Sequence, residues 1–259
     1  MKKISKQDLK SDKLQQELQK GFQWTTQHSK IVGVAVVAFL VLGAGISAKS
    51  YLDDKNETAA QEKYYPVEKQ LLEKKDGFER AKMASQVPPA DPKKKNQAPP
   101  PVEGKATGDL TKDYGNLPEE IHKVISQYPK SKAAKMAALQ LADVQIEYQQ
   151  MKEAETTLKQ VDSDSRDLLS GMVQAQLGTV QANLNDCNAA LSTWQKVLAN
   201  ARAKALHAGV KLKEGLCFES LKDFAKAEQM YNEAKNDDKE SATARTAEKY
   251  LRLLQTAKN

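Results

Sequence analysis

Histidine, cysteine and tryptophan are all rare in this chain of 259 residues, which holds three, two and two of them. His28, His122 and His207 stand far apart, and none has a cysteine or carboxylate at ligand spacing, so the sequence predicts no metal centre. The 12 glycines form neither a phosphate-cradling loop nor a nucleophile elbow. The expectation is therefore a protein that is no enzyme, takes no cofactor and has no small-molecule substrate. A basic face is missing as well. The formal net charge is +6, yet residues 1–30 hold seven lysines against three acidic residues, while residues 110–259 hold 21 basic and 20 acidic residues. The longer segment cannot neutralise a row of phosphates, which argues against nucleic acid as a partner.

What the chain does have is a repeat. Ala154, Ala190 and Ala227 each stand four residues before a bulky residue, Leu158, Trp194 and Tyr231. Each follows a small residue by twelve positions, Ala142, Gly178 and Gly215, and a packing residue by three, Met151, Cys187 and Phe224. Val161, Val197 and Ala234 fall seven positions later. The intervals of 36 and 37 residues lie close to the tetratricopeptide period of about 34. Small residues that let antiparallel helices approach, with larger ones filling the space between, predict stacked helix-turn-helix units. Helix ends fit, with Pro118 early in a helix that closes near Tyr128-Pro129, and Asn236-Asp237-Asp238 ending the last unit. In the third unit Glu214 takes the place of Leu141 and Leu177, and Leu212 and Leu216 are expected to supply the missing apolar contact.

The second signal is the uncharged run Ile31 to Ala48, whose 18 residues at about 1.5 Å each nearly span a bilayer core of about 30 Å. Trp24 precedes it and Tyr51 follows, at the positions where amphipathic rings favour the headgroups. The lysine-rich arm before the run, against Asp53, Asp54 and Glu57 after it, predicts a cytoplasmic N-terminus and a C-terminal part across the membrane. A signal peptide cleaved near Ala48-Lys49-Ser50 is the competing account, although an n-region of about 30 residues is unusually long for one. Gly43 and Ser47 offer a small pair for contact with another membrane helix. In the arm, Leu9, Leu14, Leu18 and Phe22 fit either an amphipathic surface helix or a disordered topology signal.

The expected organisation is thus all-α: a basic arm (1–30), a single transmembrane helix (31–48), a helical stalk or docking helix (49–85), a linker (86–111) and a tetratricopeptide-like solenoid (112–259) with a C-terminal capping helix. Pro66 marks a break or a helix start in the stalk, where Val67, Leu71, Leu72 and Phe78 are scattered apolar positions. Most of the nine prolines and Lys93-Lys94-Lys95 lie in the linker, which predicts an extended, solvated tether. The repeat register brings Cys187 and Cys217 to neighbouring helix ends, either as a disulfide in an oxidising compartment or as two small apolar core residues, the simpler reading.

The basic arm with Trp24 before one span, Tyr128-Pro129-Lys130-Ser131 leading into Ala137 to Ala142, Leu177-Gly178 with Ala190-Leu191, and Lys213 to Tyr231 with Phe224 and Ala227 together resemble the YfgM family. The resemblance implies a bacterial inner-membrane protein with a periplasmic repeat domain, ancillary to the SecYEG translocon and associated with a PpiD-like periplasmic chaperone and envelope client proteins. It brings no catalytic residues. The proline-lysine linker and Leu216, where the family has aspartate after the glycine, depart from it. An organiser of another envelope machine, such as outer-membrane assembly, a pilus or the division apparatus, needs the same parts.

Partners are expected on the concave face that first helices line. The register assigns Met136, Leu139, Asp143 and Ile146 of the first unit to it, with Met172, Ala175 and Thr179 of the second and Leu212, Leu216 and Glu219 of the third. Such a groove is apolar in the middle with a few acidic groups, and methionine and leucine repack around different chains. The alternative is that the C-terminal helix covers these residues as core.

Overall fold

The computed structural model describes residues 18–22, 24–86, 104–237 and 239–258, and every regular element among them is helical. In chain order these are α1 (Ser29–Gln86), α2 (Leu110–Tyr114), α3 (Leu117–Gln127), α4 (Lys132–Glu147), α5 (Met151–Lys159), α6 (Leu168–Asn183), α7 (Cys187–Leu198), a 3-10 turn (Ala201–Ala203), α8 (Lys204–Ser220), α9 (Phe224–Asp237) and α10 (Ala242–Lys258). Two compact units divide the chain, Met1–Lys55 and Asn56–Asn259.

In the first unit, the run Ile31 to Ala48 lies within α1, a helix long and apolar enough to cross a membrane. None of its most apolar window is buried against protein, which makes it a candidate membrane anchor. Trp24 stacks on His28 at 4.8 Å between ring centroids, just before that run. Leu9 and Leu14 of the arm fall outside the described residues.

The second unit is built from the expected pairs, α4 with α5, α6 with α7 and α8 with α9, followed by α10. The physical basis of the repeat is a size match across each pair. A Cβ added at Gly178 would lie 2.4 Å from Trp194 Nε1, and one at Gly215 would lie 2.3 Å from Tyr231 Cε1. Those aromatic rings occupy the space that the missing side chains leave. In the first helix-pair repeat the equivalent residues are Ala142 and Leu158, both fully buried: a slightly larger small partner meets a smaller large one. Ala154, Ala190 and Ala227 are likewise fully buried.

The turn inside each pair also repeats. Gln149, Asn185 and Lys222, again 36 and 37 residues apart, hold φ values of 61°, 64° and 62°. After each, a backbone N–H returns to the carbonyl five residues earlier: Gln150 to Gln145, Asp186 to Gln181 and Asp223 to Phe218. This is the Schellman closure, made here without glycine. Helix starts are capped by Ser131, Asp167 and Asp186, whose side chains accept from the N–H groups of Ala134, Ser170 and Ala189. Lys135, only 3% exposed, ties the first helix-pair repeat to the second repeat, its ammonium donating to Ser165, Asp167 and Ser170. Burial alone would raise the Asp167 carboxyl, but the bonds from Ser165, the Ser170 N–H and Lys135 hold it at about 2.

Three expectations need correction or a choice between alternatives. The first concerns residues 49–85, whose later part is a docking helix and not a free stalk. Ala60, Tyr64, Val67 and Leu71 are buried in one cluster with Leu117, Ile121, Ile125, Ala133 and Ala137. Glu57 accepts from the N–H groups of Lys132 and Ala133 at the start of α4, Tyr64 donates to Gln140, and Lys75 pairs with Glu147 near its end. This stretch therefore runs parallel to α4, as the first helix of a preceding unit would, and α3 takes the place of that unit's second helix. Pro66 sits inside α1 without ending it. Of the expected linker, residues 87–103 lie outside the described residues, while Leu110 near its end is core, as is Tyr114 just beyond it.

The second correction is chemical: Cys187 and Cys217 form a disulfide, with Cα atoms 5.4 Å apart, joining the start of α7 to the end of α8. The third concerns Glu214, which keeps the core position of Leu141 and Leu177 although it is a carboxylic acid. It is 0% exposed; of the two leucines expected to replace it, Leu212 packs against the third core cluster while Leu216 is 39% exposed.

Candidate protein-binding groove

The first helices α4, α6 and α8 lie side by side, and hydrogen bonds cross between them. Gln176 of α6 donates to Asp143 of α4, and Lys213 of α8 donates to Thr179 of α6 at 2.8 Å. Asp143 and Thr179 thus belong to one surface, as the register requires. On it Met136, Met172 and Leu216 remain 37%, 38% and 39% exposed, so neither α10 nor any other described element covers them.

The remaining predicted residues divide by depth. Ile146, Ala175 and Leu212 are half-buried, each packed against one of the three core clusters. Glu219 accepts a bond of 2.7 Å from the Tyr231 hydroxyl, which occupies its carboxylate. Leu139 does not line the surface: it is buried in the first cluster, because its side of α4 packs inward. The spacing that placed it in the groove is correct for a helix face, but that face is wider than the exposed stripe.

Lysines join the expected acidic groups on this surface. Burial raises the Asp143 carboxyl despite nearby Lys75 and the bond from Gln176, and burial lowers the Lys213 ammonium. Toward the third unit the surface deepens into a cavity of 690 Å³, lined among others by Ala175, Lys204, Gly209, Lys213, Asp237 and Thr243. Gly209 is the third-unit equivalent of Met136 and Met172, and a Cβ there would meet nothing within 4 Å. The groove therefore carries acid at the first unit, methionine and leucine across the middle, and lysine at the third. Lys204 and Lys213 escaped the sequence reading because a lysine on an amphipathic helix usually marks its solvated face.

Among the described residues no group of three histidine, cysteine, aspartate or glutamate side chains is placed to hold a metal ion. A stack of helix pairs with an exposed, mixed-polarity inner face defines a scaffold for protein–protein interaction. The sequence profile of the tetratricopeptide repeat-like domain matches residues 23–255, and the chain belongs to that family. The crystal structure of MamA is similar to it at 18% identity, covering 60% of this chain and 99% of that chain with a TM-score of 0.41, a likeness too slight to carry function. No curated protein matches the chain.

Proposed function

We propose that the chain is a single-pass scaffold of the bacterial inner membrane, with its N-terminus in the cytoplasm and its repeat unit in the periplasm. In this reading its groove holds segments of the SecYEG translocon, of a PpiD-like chaperone and of envelope client proteins. The observation that carries partner binding is the exposure of Met136, Met172 and Leu216 on three successive first helices. The compartment is supported by the Cys187–Cys217 disulfide, a bond that persists in oxidising surroundings, and by the lysines before the apolar run. The translocon and chaperone as partners rest on the resemblance to the YfgM family.

Photo-crosslinking in cells tests the reading. A photoreactive side chain at Met172 or Leu216 of the full chain should capture translocon subunits or the chaperone, whereas one at exposed Lys196, on a second helix, should not. Leu216→Ser should reduce recovery of those partners on purification in mild detergent, while the melting temperature stays within about 2 °C. Equal capture from all three positions would refute the groove, and capture of pilus or division proteins alone would refute the translocon assignment.

A further inference from the structure

The α7–α8 interface holds a fully buried carboxyl group beside a covalent cross-link. Glu214 Oε1 accepts from Gln195 Nε2 of α7 at 2.9 Å, and Oε2 has no hydrogen-bond partner among the described residues. A buried oxygen left without a donor is tolerable on a neutral acid and costly on an anion. Among the described residues no cation pairs with this carboxyl, although Lys211 lies near enough to favour its anion. Lys211 of α8 is engaged by Glu233 and Asp237 of α9, and Lys213 is turned to Thr179 of α6. Glu233 adds negative potential, Tyr231 of α9 is committed to Glu219, and α7 presents the uncharged Gln195. Toward α10 the charges are paired away, as in Lys235 with Glu248. Burial, with a smaller contribution from Glu233 and against the Gln195 bond and Lys211, raises the Glu214 carboxyl to about 7.

We propose that the junction of the second and third repeat units is a pH-responsive joint, closed while Glu214 is neutral and loosened when it ionises, with the Cys187–Cys217 bond clamping one end. The sign follows from proton linkage. The folded state holds its proton more tightly than the unfolded chain, so the stabilisation is complete below about pH 4.5 and is lost as pH rises through about 7. A shift from 4.5 to about 7 allows the opening equilibrium to rise by at most about 300-fold across that window. The disulfide holds the α7 start to the α8 end, so loosening acts at the opposite end of the interface, toward Gln195 and the cavity by Gly209. Because α8 also bears Leu212 and Leu216, ionisation alters the third wall of the groove. The joint does not depend on which partner the groove takes.

Hydrogen exchange on the full chain in detergent micelles tests this, at pH 5 and pH 8 and corrected for intrinsic exchange. In the wild type, opening of Cys187–Leu198 and Lys204–Ser220 should increase at least tenfold between the two pH values, while in Glu214→Gln it should change less than twofold. Glu214→Leu, which restores the residue of the other two units, should behave like the glutamine variant. Equal pH responses in wild type and both variants, or unfolding of both variants, would overturn the proposal. In Cys187→Ala/Cys217→Ala the response should grow and spread through Phe224–Asp237; an unchanged response would overturn the clamp.

Discussion

The match of Gly178 to Trp194 allows a perturbation whose sign depends on its partner. Alanine at position 178 gains about 1 kcal/mol over glycine in a helix interior. Its Cβ, however, would stand 2.4 Å to 2.7 Å from three atoms of the indole. Displacing that ring costs about 1–3 kcal/mol as overpacking. It also pulls Trp194 Nε1 from the Ala175 carbonyl, now 3.1 Å away, for about another 1 kcal/mol or more. The net expectation for Gly178→Ala is a loss of about 1–3 kcal/mol, or roughly 2–12 °C in melting temperature for a unit of this size. Trp194→Leu alone is destabilising through the cavity it opens. With leucine at 194, however, the pair becomes the Ala142–Leu158 pair of the first unit, and alanine at 178 should now stabilise by about 1 kcal/mol. The coupling in a double-mutant cycle is then about 2–4 kcal/mol. Thermal melting of the full chain in detergent, followed by circular dichroism at 222 nm, measures all four corners. A Gly178→Ala effect of the same sign and size with tryptophan and with leucine at 194 would refute the size match as the basis of the repeat.

Two other outcomes are expected. Ala190→Phe, at a position 0% exposed, should cost about 1–3 kcal/mol or more, while Lys196→Gln, exposed on the same helix, should stay within about 0.5 kcal/mol; equal shifts in melting temperature would show that the repeat register is wrong. A reporter active only outside the cytoplasm should work when fused after Asn259 and fail when fused before Lys30, and the opposite pattern would reverse the proposed topology.

The parts of the fold legible in the sequence are those fixed by side-chain size at constant spacing. Ala154, Ala190 and Ala227 announce themselves because only small residues fit at a close helix approach. For residues 57–75 a docking helix is one of two readings the sequence allows, and distance rather than pattern hides what it docks on. Ala60, Tyr64, Val67 and Leu71 do recur at helical spacing. Their partners, from Leu117 to Ala137, follow only after a long proline-rich stretch, and the sequence does not say which face meets which. Likewise the left-handed residues Gln149, Asn185 and Lys222 carry no glycine signal, and the spacing of Cys187 and Cys217 shows that they are neighbours without showing that they are bonded. Of the residues that the register assigned to the groove, Met136, Met172 and Leu216 are exposed. The register misplaced Leu139, because periodicity gives the side of a helix but not the width of the stripe that a neighbour leaves open.

The position of residues 57–75 in the core sets an order of events during synthesis. This stretch leaves the ribosome early, yet the surfaces that bury Tyr64, Val67 and Leu71 belong to residues made some 50 to 75 positions later. Until Ile125 and Ala137 exist, the early helix has an apolar side and nothing to set it against, and α4 has no Glu57 to meet its first N–H groups unless that helix waits nearby. Completion of the first unit is therefore a closure between the two ends of a long stretch of chain, not a local zipping of neighbours. A fragment cut to begin at residue 112 would keep every recognisable repeat and still present the bare side of α3 and α4 to solvent.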